Sequence, residues 1–138
     1  MTQYRKPVPM PDHVTAEFWS ATKRHELLIQ RCRDCGSHQF FPQSCCRACL
    51  SERSGWLRAT GKGKIYSYTV VHRPPSQRFQ DDVPYTVALV ELDEGVRMLS
   101  NIVGIEAHKV RVDMAVEVVF EHISPEISLP KFRPAETS

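Results

Sequence analysis

No stretch of this 138-residue chain approaches the roughly 18 consecutive apolar residues of a membrane span. Nor does Met1-Thr2-Gln3-Tyr4-Arg5-Lys6-Pro7 contain the apolar run of a secretory leader, so the expectation is a cytoplasmic protein without membrane association. Glycine is scarce, at 6 residues, and neither a phosphate-cradling glycine loop nor a Gly-x-Ser-x-Gly elbow occurs. No His-Glu pair stands at metalloenzyme spacing. Cysteine is missing from most of the chain, all 5 lying between residues 32 and 49. A secreted disulfide framework would spread them, whereas a tight cluster suits a metal clip in a reducing compartment. The net charge of +2 is modest, and no internal repeat or low-complexity tract is present.

What the cysteines do form is Cys32-Arg33-Asp34-Cys35-Gly36, answered after the ten residues between Cys35 and Cys46 by Cys46-Arg47-Ala48-Cys49. Two Cys-x-x-Cys pairs at this separation are the two knuckles of a tetrahedral zinc site. A two-residue gap lets both sulfurs of a pair face one ion, and Gly36 supplies the positive-φ freedom that such turns use. A catalytic zinc keeps an open position for water or substrate, but four cysteines close the sphere, so the zinc is expected to be structural. Cys45, next to a ligand, is a bystander, as is His38. Cys45 also lacks an identifiable base that would make it a nucleophile.

Residues 1–11 hold Pro7, Pro9 and Pro11 and read as an extended lead-in. Thr15 is the expected cap of a helix running to about residue 25, with Phe18 and Trp19 serving either as a core plug or as a docking patch. Glu26–Arg31 and Gln39–Pro42 are short strands around the first knuckle, too small to bury a core without the metal. From Trp56 onward the pattern is β. The expected strands are Trp56–Thr60, Lys64–Arg73, Tyr85–Leu92, Val96–Val103 and Met114–His122. Five short strands with a longer connection before the last suggest an OB-fold barrel. The expected fold is therefore mainly β, with an N-terminal helix and zinc ribbon over residues 1–54 and a five-stranded barrel over 55–138. The tail, Leu129-Pro130-Lys131-Phe132-Arg133-Pro134, is extended and either straps onto the barrel or reaches a partner.

Charge is unevenly spread. Residues 1–78 carry 13 Lys/Arg against 5 Asp/Glu, and residues 79–138 carry 5 against 11. The basic front suits phosphates, with Lys62, Lys64 and Arg73 as candidate contacts. Single-stranded nucleic acid is one possible ligand, with Tyr66, Tyr68, Phe79 and Tyr85 as stacking platforms. The acidic second half opposes it. His72, His108 and His122 show no partner in the sequence, and without a visible catalytic set the chain reads as a binding or accessory protein.

The order of motifs resembles one family: small zinc-ribbon and OB-fold proteins associated with acyl-CoA metabolism, long catalogued as a domain of unknown function. Phe18-Trp19, the two cysteine pairs, Gly61-Lys62-Gly63-Lys64-Ile65-Tyr66 through Arg73, Pro84-Tyr85-Thr86 through Leu92, Val116 through Phe120, and Pro130 through Pro134 carry the likeness. The chain departs from it at Leu50, where a glycine usually follows the second pair, and at the extra Cys45. The resemblance implies a rubredoxin-like ribbon ahead of the barrel. It also implies a non-catalytic subunit in a hetero-oligomer with a thiolase-superfamily enzyme: a thiolase, C-acyltransferase or acyl-CoA aldolase. Such subunits bridge and stabilise the partner and help to bind coenzyme A thioesters. Phe18, Trp19 and Phe132 would then face the partner, and a nucleic-acid role becomes the alternative. A free-standing acyl-CoA carrier is a third reading.

Overall fold

The computed structural model describes residues 6 and 8–135, so the expected lead-in over 1–11 lies partly outside the described residues. Helix α1 spans Ala16–Lys23. Thr15 occupies the N-cap but makes no side-chain cap. Asp12 turns the chain instead: its Oδ1 accepts from the backbone N–H groups of Val14 (2.9 Å) and Thr15 (2.8 Å) and from the Thr15 hydroxyl (3.0 Å). These donors, led by the Thr15 N–H, hold the Asp12 carboxyl below its ordinary pKa. The helix stops earlier than expected, and His25 follows with φ 60°.

Three short strands come next: β1 (Leu28–Cys32), β2 (His38–Gln39) and β3 (Ser54–Arg58), in the antiparallel order β2-β1-β3. The segment expected to start the barrel at Trp56 is thus the third ribbon strand, with Gln30 opposite Trp56 and Cys32 opposite Ser54. The reason is local. The second knuckle sends the chain back beside β1, whose open edge needs backbone partners. A division at residues 54 and 55 falls inside this strand.

The barrel contains β4 (Lys62–Val71), β5 (Tyr85–Leu92), β6 (Arg97–Ile102), β7 (Ala115–His122) and β8 (Ser128–Pro134). It closes in the order β4-β5-β6-β8-β7. Gly63 is required where β4 crosses β5, because a Cβ there would lie 2.3 Å from the Glu91 carbonyl oxygen. The proline-framed tail is the fifth stave rather than a strap. Pro130 and Pro134 fit because β8 pairs fully with β7 but meets β6 through one parallel pair, Ile102 with Phe132.

Burial alternates along β5, where Thr86, Ala88, Val90 and Leu92 point inward. Helix and ribbon contribute Phe18, Leu27 and Ile29 to the same hydrophobic cluster that holds Ile65, Val90, Met98, Val116 and Phe132. The core is therefore shared across the two parts. Among the described residues, no helix is long and apolar enough to cross a membrane.

Candidate metal centre

The two knuckles repeat one backbone pattern. In the first, the Gly36 N–H donates to the Cys32 carbonyl (2.9 Å) and the Cys32 N–H to the Ser37 carbonyl (2.9 Å). In the second, the Leu50 N–H donates to Cys46 and the Cys46 N–H to Ser51, both at 2.8 Å. Each turn also aims an amide at a sulfur: Cys35 N lies 3.5 Å from Cys32 Sγ, and Ala48 N lies 3.3 Å from Cys46 Sγ.

These turns bring the Sγ atoms of Cys32, Cys35, Cys46 and Cys49 within 4.8 Å of one another. The Cys32–Cys49 separation is 3.5 Å and the Cys35–Cys46 separation 3.6 Å. A tetrahedron with Zn–S bonds of about 2.3 Å has sulfur–sulfur edges of about 3.8 Å, so the four donors fit zinc. Their protonation agrees with a site built for a cation. The Ser37 hydroxyl, 3.2 Å away, and the Ser37 N–H lower the Cys35 pKa to about 6. The Ser51 N–H pulls Cys49 down, but the neighbouring Cys32 sulfur, burial and the other thiols outweigh it and raise Cys49 to about 12. Adjacent thiolates cannot all ionise without a positive charge between them. Cys45 lies outside the cluster and is half-buried; its carbonyl accepts from Gln39 Nε2 at 3.2 Å.

Two glutamines that sequence reasoning passed over hold the knuckles to the sheet. Gln30 and Gln39 are buried, and Gln39 Nε2 donates to Gln30 Oε1 at 2.7 Å. The same Gln30 amide bonds both backbone groups of Gln43, at 2.8 and 2.9 Å, while Gln39 Oε1 receives the Arg47 N–H at 3.0 Å. Their signal was the inward position of Gln30 between Ile29 and Cys32 on a strand. Asp34 joins the first knuckle to the chain's exit through Ser51 and Arg53.

The other expected site residues fare differently. Lys62 and Lys64 sit at the start of β4, opposite Glu117 and Ala115 of β7, whereas Arg73 lies past its far end. The length of the strand separates these positions, so the three do not form one cluster. Phe18 and Phe132 are core residues, 1% and 0% exposed, which corrects their expected place at a partner surface. Both face inward because α1 and β8 close the shared core. Trp19 is half-buried, and with Phe41, Leu99 and Pro130 it lines an apolar cleft of about 240 Å3. His122 gains partners that the sequence hid. Its Nδ1 lies 2.8 Å from the Ser128 hydroxyl, and its Nε2 lies 2.9 Å from His25 Nε2. Ser128 is fully buried, so this chain of contacts ties the turn after α1 to the barrel rather than forming an open nucleophilic site.

Known proteins match both parts. Residues 19–54 match the family described as "ChsH2, rubredoxin-like zinc ribbon domain", and residues 56–121 match "ChsH2, C-terminal OB-fold domain". A probable enoyl-CoA hydratase alpha subunit of Thermomonospora curvata is 41% identical over 130 residues, covering 94% of this chain. The chain spans only 40% of that relative's length. A DUF35 domain-containing scaffold protein of Methanocaldococcus jannaschii is 35% identical across 81% of this chain and 80% of its own. Among solved structures, a chain of "Ltp2-ChsH2(DUF35) aldolase" superposes with a TM-score of 0.82 at 40% identity, covering 92% of this chain and 98% of that one. Relatives of this chain are thus named as a scaffold and as an alpha subunit of a hydratase. With both of its parts matched and an archaeal scaffold relative spanned over most of its length, the protein belongs to the DUF35 family of zinc-ribbon and OB-fold proteins.

Proposed function

We propose that this chain is a non-catalytic accessory subunit that bridges and stabilises a thiolase-superfamily partner, whether thiolase, C-acyltransferase or acyl-CoA aldolase, in the cytoplasm. The observation that carries this reading is the likeness to nearly the whole DUF35 chain of an aldolase whose name joins it to a second component. The closed set of four sulfurs agrees with it. When bound, zinc supplies a crosslink between two loops. Cys32, Cys35, Cys46 and Cys49 would hold it, with no ligand position left for a substrate.

The working units in this reading are a docking ribbon that ends with β3 and the barrel of β4 to β8. The apolar cleft bounded by Trp19, Phe41 and Leu99 is the docking surface in this reading, because contiguous exposed apolar groups are what interfaces cover. Leu99 is 66% exposed on β6, next to the buried Met98. The chain also helps to hold the coenzyme A thioester, through Lys62 and Lys64 at one end of the barrel. Arg73, at the other end, is a separate contact.

Co-expression with a neighbouring thiolase-like gene tests the proposal. The two chains should elute as one complex, and the isolated chain should show neither thiolysis nor acyl transfer. Turnover by the isolated chain would sink it. The rival single-strand reading predicts salt-sensitive oligonucleotide binding. It is weakened because the Arg97 guanidinium already covers the Tyr66 ring, with Cζ 3.7 Å from the centroid.

A further inference from the structure

A second group of metal-ligating side chains meets where the turn after α1 touches the end of β7. His25 Nε2 lies 2.9 Å from His122 Nε2, and both histidines are exposed. Their ring centroids are 4.9 Å apart, with the planes tilted by 43°. Neither ring is loose. His25 stacks on Phe120, with 5.3 Å between centroids and 8° between planes. His122 is held from behind by the buried Ser128, whose hydroxyl oxygen is 2.8 Å from Nδ1. With the Nδ1 proton on that oxygen, the Nε2 lone pair of His122 is left for a ligand, as in metal-binding histidines generally. His25 follows the C-terminal end of α1, where backbone carbonyls favour a positive charge. The basic neighbour Arg24 is already engaged, by the Ser20 carbonyl and by Glu26 Oε2, each at 3.3 Å.

We infer that His25 and His122 form a second metal site, for a divalent transition-metal ion that takes imidazoles at a right angle, such as nickel. Metal–imidazole bonds of about 2.0–2.1 Å meeting at ~90° put two nitrogens about 2.9 Å apart, against about 3.3 Å for a tetrahedral ion. The observed 2.9 Å is the shorter of the two, so the pair suits square-planar or octahedral nickel better than zinc. Water fills the remaining positions, because both histidines are exposed. Without metal, one proton is shared between the two Nε2 atoms; the ion takes its place and the proton passes to solvent. The bound ion joins residues 97 positions apart and so fastens the turn after α1 to β7. No histidine belongs to the four-sulfur cluster, so the two sites differ in donor chemistry as well as in place. The assignment stands whether or not the accessory-subunit reading does.

Calorimetric titration of the zinc-loaded full chain with nickel chloride is the test. Saturable binding of one ion is expected, and His25→Asn and His122→Gln should each weaken it by roughly tenfold or more. Asparagine tolerates the positive φ at position 25, so the first variant keeps the turn. Ser128→Ala should weaken binding severalfold by freeing the His122 ring. His108→Gln, at another exposed histidine, should leave it unchanged. Nickel should also raise the melting temperature of the parent chain and of neither His25→Asn nor His122→Gln, a response that a hydrogen bond alone would not give. Zinc content measured alongside tells a damaged ribbon from a lost ligand. Absence of saturable nickel binding to the parent chain, unchanged binding in either variant of the pair, or release of zinc in step with nickel uptake would overturn the assignment.

Discussion

Gly36 and Leu50 occupy the same place in the two knuckles, one residue after the second cysteine, and both have positive φ, at 78° and 66°. Glycine pays no steric cost there, whereas a leucine side chain crowds its own backbone by roughly 1–2 kcal/mol. Leu50 is 74% exposed, so its side chain earns little packing in return.

Replacing Leu50 with glycine should therefore stabilise the zinc-loaded protein by about 0.5–1 kcal/mol, once glycine's extra unfolded-state entropy is set against the relief of strain. Thermal unfolding should shift upward by roughly 2–3 °C. A lower melting temperature would show that Leu50 makes contacts this structure does not contain.

Zinc uptake should release protons. Near pH 7.5 the metal-free Cys35, with a pKa of about 6, is already a thiolate, while Cys49, at about 12, still holds its proton. Binding must expel at least the Cys49 proton, so affinity rises with pH and falls in acid as all four sulfurs are reprotonated. Potentiometry in weak buffer measures the release, and zero protons per zinc would contradict the ligand set. Cys49→Ser should lose most of the bound zinc, whereas Cys45→Ser should keep one equivalent by elemental analysis.

Phe132→Ala should cost about 3–5 kcal/mol, as expected for emptying a fully buried aromatic site. Leu99→Ala, at an exposed position, should cost far less in stability while weakening the proposed complex with a catalytic partner. Trp19→Ala should weaken it too, at a larger cost in stability because that ring packs on Phe18. Chemical denaturation alongside a pull-down separates the two effects. A Phe132→Ala protein of normal stability would place that ring outside the core.

The cysteine spacing made the metal centre legible because four ligands in two short loops need no long-range information. Strand Tyr85–Leu92 was legible for a related reason: its alternation of residues is itself the barrel's inside and outside. In the segment ending at His122 only Val116 is fully buried, so the apolar alternation there marked a strand without marking its inner face. Trp56 and Phe132 were misplaced because a strand's pattern says that it is a strand and not which edge it joins. Proline spacing made residues 129–134 look like a strap, yet the parallel contact at Phe132 depends on a partner thirty residues upstream. His25 and His122 could not be paired in advance, being 97 positions apart.

The β6–β8 contact bears on how the molecule breathes. Beyond the single register pair, it is held by the Val103 N–H on the Phe132 carbonyl (2.8 Å) and the Ser100 hydroxyl on the Pro130 carbonyl (2.9 Å). Every other junction in the ring has at least three residue pairs. Local opening should begin at this seam, so the Val103 amide should exchange with deuterium well before those of Ala88 and Val90. Because the apolar cleft beside Trp19 is also lined by β6 and β8, a partner seated there would clamp the seam and slow that exchange.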